Sequence, residues 1–88
     1  MEERETLLDL PCTYPLKVVG RNTEEFQAVV HSIIEKHVPE ATGVYYSSRA
    51  SSGGKYLSVT VTFMARSQEQ LKAIYAELAD SNLVLITL

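Results

Sequence analysis

The chain has 88 residues, 45% hydrophobic and 22% charged, ordinary globular values that exclude a disordered tail or a fibrous repeat. A chain this short buries roughly 60–65% of its unfolded surface, enough for one two-layer core but not for a deep cleft. No run reaches the ~18 apolar residues of a membrane span, and the formal net charge of −3 speaks against a general attraction for phosphate backbones or anionic lipid.

The charge is uneven along the chain. Residues 1–9 hold Glu2, Glu3, Glu5 and Asp9 against Arg4, which leaves seven acids and seven bases on the remainder. Residues 1–10 therefore read as an acidic arm, expected to fray, and residues 11–88 as a single domain. The start "MEERETLLDLP" lacks the basic and apolar regions of a signal peptide. Cys12 is the single cysteine, so no intrachain disulfide is possible, and a reducing cytoplasm is the expected location.

Six elements follow in order. "YPLKVVG" (14–20) reads as a strand ended by glycine, with Pro15 tolerable only near its start or on an unpaired side. Asn22 with Glu25 forms a capping-box pattern. Phe26, Val29, Val30, Ile33, Ile34 and Val38 then make one apolar helical stripe, stopped by Pro39. "TGVYYSSRA" (42–50) is a second strand, and "SSGGK" a hairpin turn with Gly53 and Gly54 at positive φ. Leu57, Val59, Val61 and Phe63 alternate with Ser58, Thr60 and Thr62 in a third strand running to Ala65. Ser67 with Gln70 opens a second helix whose apolar face is Leu71, Ile74, Tyr75 and Leu78. "LVLITL" (83–88) closes the chain as a strand.

The order β-α-β-β-α-β, with one apolar face per helix, predicts a ferredoxin-like α+β sandwich. Its four-stranded antiparallel sheet has order 4-1-3-2, and both helices lie on one face. The hydroxyls of the third strand then belong to the open face, together with Lys17, Tyr45, Ser47, Arg49 and Tyr56.

RNA-recognition domains share the element order but stack bases on rings of the third strand. Here the positions after Tyr56 are Ser58, Thr60 and Thr62, and no nucleic-acid partner is expected. His31 and His37 lie six residues apart, about 600° around the helix, which suits no metal pair. His37 reads as a complement to the helix dipole and His31 as a solvated surface residue. Cys12 has no base near it in sequence, and "SSGGK" lacks the spacing of a phosphate loop. No catalytic residue, metal ligand or cofactor is assigned, and the chain reads as a non-enzyme.

Two places remain. Gly20, Arg21 and Asn22 stand where the first strand meets the first helix, a position suited to a carboxylate. Turn chemistry alone accounts for the same residues. On the sensor reading, Gly20→Val keeps the fold and abolishes binding. The open face (Lys17, Tyr45, Arg49, Tyr56, Ser58, Thr60 and Thr62) combines tyrosine and arginine, types enriched where proteins meet. The last strand, with Leu83 and Leu85 and no charge to blunt it, invites pairing with another strand. "LLDLP" (7–11) is one candidate to cover it.

"LDLPCTYPLKVVG", "VVHSIIEKHVP", "SSGGKYLSVTVTF" and "LKAIYAELADSNLVLITL" together resemble the YbeD-like proteins of bacteria, small conserved proteins of unassigned function. The likeness runs from about Leu10 to Leu88 and implies a ferredoxin-like fold related to ACT-type regulatory domains. It also implies that the effector-binding glycine of such a domain falls on Gly20, followed by Arg21 and Asn22. Members of the family it resembles are often encoded near a lipoate-attachment enzyme, which suggests a partner.

The leading expectation is a non-catalytic cytosolic module that docks onto a metabolic enzyme through the open face and the last strand. The alternative is a sensor of an amino acid or similar carboxylate at Gly20–Asn22. A weak homodimer joined through the last strand is a third possibility, and no membrane partner is expected.

Overall fold

A computed structural model of the chain describes residues 10–39 and 43–88. The acidic arm up to Asp9 and the expected strand start at Thr42 lie outside the described residues. The elements are β1 (Cys12–Arg21), α1 (Glu24–His37), β2 (Tyr45–Ala50), β3 (Tyr56–Ala65), α2 (Gln68–Ala79) and β4 (Val84–Thr87). The sheet order is β2-β3-β1-β4 with every neighbouring pair antiparallel, so the predicted ferredoxin-like topology is the observed one.

β1 is longer than its valine-rich segment suggested, because it pairs with β3 along its full length, from Cys12 opposite Ala65 to Arg21 opposite Tyr56. Pairing recruits residues whose own strand propensity is weak. Pro15 fits because β4 meets β1 only further on, Leu88 donating its N–H to the Lys17 carbonyl at 2.8 Å.

Period-2 and period-3.6 patterns meet in one core. Leu16 and Val18 of β1, with Val61, Phe63 and Ala65 of β3, are fully buried against Phe26, Val30 and Ile34 of α1 and Ile74 and Leu78 of α2. Both helices therefore cover the same sheet face. Gly53 and Gly54 take φ of 90° and 76° in the β2–β3 turn.

The first helix is capped one residue later than the sequence pattern indicates. Thr23, not Asn22, is the N-cap, its Oγ1 accepting from the Phe26 N–H at 3.1 Å. Asn22 instead donates from Nδ2 to the Gly54 carbonyl at 3.1 Å, and its own N–H donates to Lys55 O at 3.0 Å. Hydroxyl and amide are comparable caps, and the nearby hairpin carbonyls claim the amide. At the second helix Ser67 caps as expected, accepting from Gln70 N–H at 3.1 Å. The Gln70 side chain accepts from Arg66 N–H and donates to the His37 carbonyl at 2.8 Å.

His37 thus ends α1 inside a contact with α2. Its Nε2 lies 2.7 Å from Glu77 Oε2, which also meets Lys36 Nζ at 2.9 Å. His31 is exposed but not simply solvated, since its ring stacks on Tyr46 at 4.0 Å between centroids. Tyr14 Oη and Tyr75 Oη are 2.9 Å apart, joining β1 to α2, and burial together with that bond raises the Tyr75 hydroxyl above the usual tyrosine range.

Gly20 is buried where β1 passes under α1. A Cβ there would sit 2.4 Å from Phe26 Cδ1 and 2.6 Å from the Leu83 carbonyl oxygen. The glycine is required by its own chain's packing, so the expectation that Gly20→Val keeps the fold is corrected. Gly20→Ala lowers the unfolding free energy by about 1–3 kcal/mol, measured by urea denaturation. Phe26→Leu in that background costs less than the sum of the two single changes, because it withdraws the obstructing ring.

The Lys36 ammonium and, secondarily, His37 hold the Glu77 carboxyl below its ordinary value of 4.5. A depressed folded-state pKa contributes stability that is present above the unfolded value and is lost as pH falls through the folded one. Glu77→Gln is therefore expected to flatten the loss of urea midpoint between about pH 5 and 3, the wild type showing the steeper acid limb.

Candidate functional site

The face of the sheet away from the helices is set by the register of three strands. Ser47 lies opposite Thr60, which lies opposite Lys17; in the neighbouring row Arg49 faces Ser58, which faces Val19; in the next, Tyr45 faces Thr62, which faces Pro15. Every residue assigned to the open face from parity is on it. The structure brings Lys17, Ser47, Ser48, Arg49, Ser58 and Thr60 together around one shallow concavity of about 460 Å³.

Tyr56 is at the end of this face, paired with Arg21. Its ring lies 5.9 Å from the Arg21 guanidinium carbon and 5.7 Å from Lys55 Nζ, within cation–π range. Tyr45 is 69% exposed at the outer strand. On the opposite flank Ile86, 52% exposed, pairs with Val19, and Leu88, 66% exposed, lies beside Lys17. The face is a polar, cationic centre with an apolar margin.

Charge is segregated between the layers. Among the described residues the charged groups of the strands and the hairpin are Lys17, Arg21, Arg49 and Lys55, all cations. The acids Glu24, Glu25, Glu35, Glu69, Glu77 and Asp80 are all on the two helices or the cap of α2. Lys17 and Arg49 have no ion-pair partner among the described residues. The Ser58 hydroxyl oxygen is buried and has no hydrogen-bond partner there.

Counting charges in sequence conceals this, because the body from Leu10 onward is neutral. Arg21 and Lys55 were outside the sequence-assigned face. The signal that finds them is parity: Arg21 shares the strand face of Lys17 and Val19, and Lys55 adjoins Tyr56 in the hairpin.

The residues of the alternative site have roles within the chain. Phe26 and the Leu83 carbonyl close the space over Gly20, Arg21 lies over Tyr56, and Asn22 binds the hairpin. The edge strand is four residues long, and its register shifts between Val19 and Gly20, so that Leu85 stands in a bulge, 51% exposed. Shortness and a bulge are devices that blunt an edge, which corrects the expectation of an unblunted strand over 83–88. A second concavity, about 410 Å³, lies between α1 and β2 and is lined by Ile34, Val38, Val44 and the Tyr46–His31 stack. Cys12 is a half-buried free thiol. No described helix is long and apolar enough to cross a membrane, and no three His, Cys, Asp or Glu among the described residues cluster as metal ligands.

Residues 5–88 match the family described as protein of unknown function (DUF493). The chain is 33% identical over 87 residues to a UPF0250 protein of Chromobacterium violaceum, covering 99% of this chain and 98% of that one. It is 37% identical to a UPF0250 protein of Neisseria gonorrhoeae over 99% of this chain and 96% of that one. Among solved structures it is similar to protein HP0495 from H. pylori, with a TM-score of 0.73 and 16% identity over 92% of this chain and 85% of that one. The uncharacterized protein TM1266 from Thermotoga maritima matches with a TM-score of 0.64 and 12% identity, over 86% of this chain and 92% of that one. These two likenesses concern the fold.

An unpartnered buried hydroxyl costs free energy, whereas an apolar group in its place costs little. Ser58→Ala is therefore expected to raise the unfolding free energy by roughly 1 kcal/mol in urea denaturation. A fall of that size would show that the hydroxyl is satisfied in solution.

Proposed function

The chain belongs to the DUF493 family of proteins of unknown function, as its YbeD-like pattern implied, and from that premise we propose that it is a binding module acting through the open face of its sheet. The observation that carries this reading is the segregation of charge among the described residues: a face with three cations from two strands and no acid, and a helix layer that holds the acids. Such a face recognises an acidic surface on a partner protein, with complementarity setting encounter rate and register. Tyr45, Ile86 and Leu88 at its margin add apolar area of the kind that excludes water from a contact.

A metabolic enzyme is the partner class brought forward from the sequence, with a lipoate-attachment enzyme as the first to be tried. The small-carboxylate sensor has less support, because Gly20 is closed by Phe26 and Asn22 is engaged by the hairpin. No reacting group is assigned in this reading, which is one of recognition rather than catalysis.

The test uses the isotope-labelled full chain with a purified lipoate-attachment enzyme. Amide signals over residues 47–49 and 58–62 are expected to broaden. Lys17→Glu with Arg49→Glu is expected to lower affinity by at least about tenfold and to remove most of its salt dependence. A contact that survives the double reversal with affinity and salt response unchanged lies elsewhere on the molecule.

A further inference from the structure

We infer that the concavity among β1, β2 and β3 is an oxyanion site whose ligand is a phosphate monoester. It lies on the same face as the docking reading but is testable without any protein partner. Lys17 and Arg49 approach it from the two strands that flank β3, with the hydroxyls of Ser58 and Thr60 on β3 between them and that of Ser47 on β2 opposite Thr60. In a regular sheet that offset separates the two cationic Cα atoms by about 12 Å, a gap that long side chains can close from both sides over one small anion.

Three features set the ligand class. Neither cation has an acidic partner among the described residues. The Ser58 oxygen is buried without a partner among the described residues, although such groups are nearly always satisfied. Finally, the lining offers two positive charges and, on the parity of the open face, the hydroxyls of Ser47, Ser58 and Thr60, Ser48 sharing the parity of Val59. A carboxylate would compensate one charge. A phosphate monoester carries close to two negative charges at neutral pH and three strong acceptor oxygens, matching both. A single-stranded nucleic acid needs a run of free rings on which successive bases stack, whereas the described open face has Tyr56, already beside Arg21 and Lys55, and a lone Tyr45 at the outer strand.

The experiment titrates the labelled full chain with inorganic phosphate at constant ionic strength. Parallel titrations use glycerol phosphate, glutamate, a phosphoserine peptide with its unmodified form, and oligothymidylate. Shifts are expected to converge on Lys17, residues 47–49, Ser58 and Thr60 with phosphate and with glycerol phosphate. Arg49→Gln and Ser58→Ala should each weaken binding by about tenfold, while Lys72→Gln on the helix layer leaves it unchanged. Because Ser58→Ala is expected to be no less stable than the parent, its loss of binding reads recognition and not unfolding. The phosphopeptide binding tighter than glycerol phosphate assigns the monoester to a modified protein; equal binding assigns it to a free metabolite.

The inference is overturned by shifts spread evenly over Lys36, Lys55 and Lys72, which mark an ion atmosphere only. Glutamate binding as well as phosphate, or a response to oligothymidylate alone, overturns it equally. So does binding that appears only once residues 1–9 are deleted, because the acidic arm is then the occupant. Silence towards every phosphate while the enzyme contact persists removes this site and leaves the docking reading standing.

Discussion

The rest of the molecule depends on the ten-residue antiparallel pairing of β1 with β3. Side chains alternate across a strand, so a slip of one residue in this pair would exchange the two faces. With β1 held in place, Leu57, Val59, Val61 and Phe63 of β3 would leave the core, and Ser58, Thr60 and Thr62 would enter it. Burying those polar groups beside the apolar stripe of Phe26, Val30 and Ile34 is costly enough that one register is strongly preferred. The same preference that makes the core places the hydroxyls and cations together on the opposite side.

The helix layer is held to that sheet by contacts of a different kind. Gly20 lets the Phe26 ring lie directly on β1, and the Leu83 carbonyl closes the same space from the β4 side. At the other end of α1, His37 meets Glu77 through its ring and Gln70 through its carbonyl, so the two helices are joined by hydrogen bonds where their apolar faces give out. Glu77, Lys36 and His37 thereby compensate charge within the helix layer. Among the described residues no comparable acid reaches Lys17 or Arg49, and their charges on the sheet face are uncompensated there.

Much of this was legible in residue order. The two helical stripes, the Gly53–Gly54 turn, the Ser67 cap and the parity of β3 are local patterns, and each appears in the structure where it was expected. What failed were statements about ends and neighbours. Asn22 and Thr23 both suit an N-cap, and only the hairpin carbonyl at Gly54 decides between them. His31 gave no sign in sequence of its stack on Tyr46, because that contact joins elements whose relative placement depends on the whole sheet. The edge strand read as open because composition reveals missing charge but not a bulge at Leu85.

Residue order alone settles the element order, the sheet order and which face is open. These follow from periodicity, capping residues and the handedness of crossovers, all of which act over short stretches. Strand pairing alone brings Lys17, Arg21 and Arg49 onto one sheet face while the described acids all lie on the helices or the cap of α2. The same pairing sets the buried Ser58 hydroxyl among Lys17 and Arg49 with no partner for any of the three among the described residues, and makes Gly20 serve packing against Phe26. The reason is physical: charge balance and hydrogen-bond satisfaction depend on distances between residues far apart in the chain, and those distances exist only once the strands have paired.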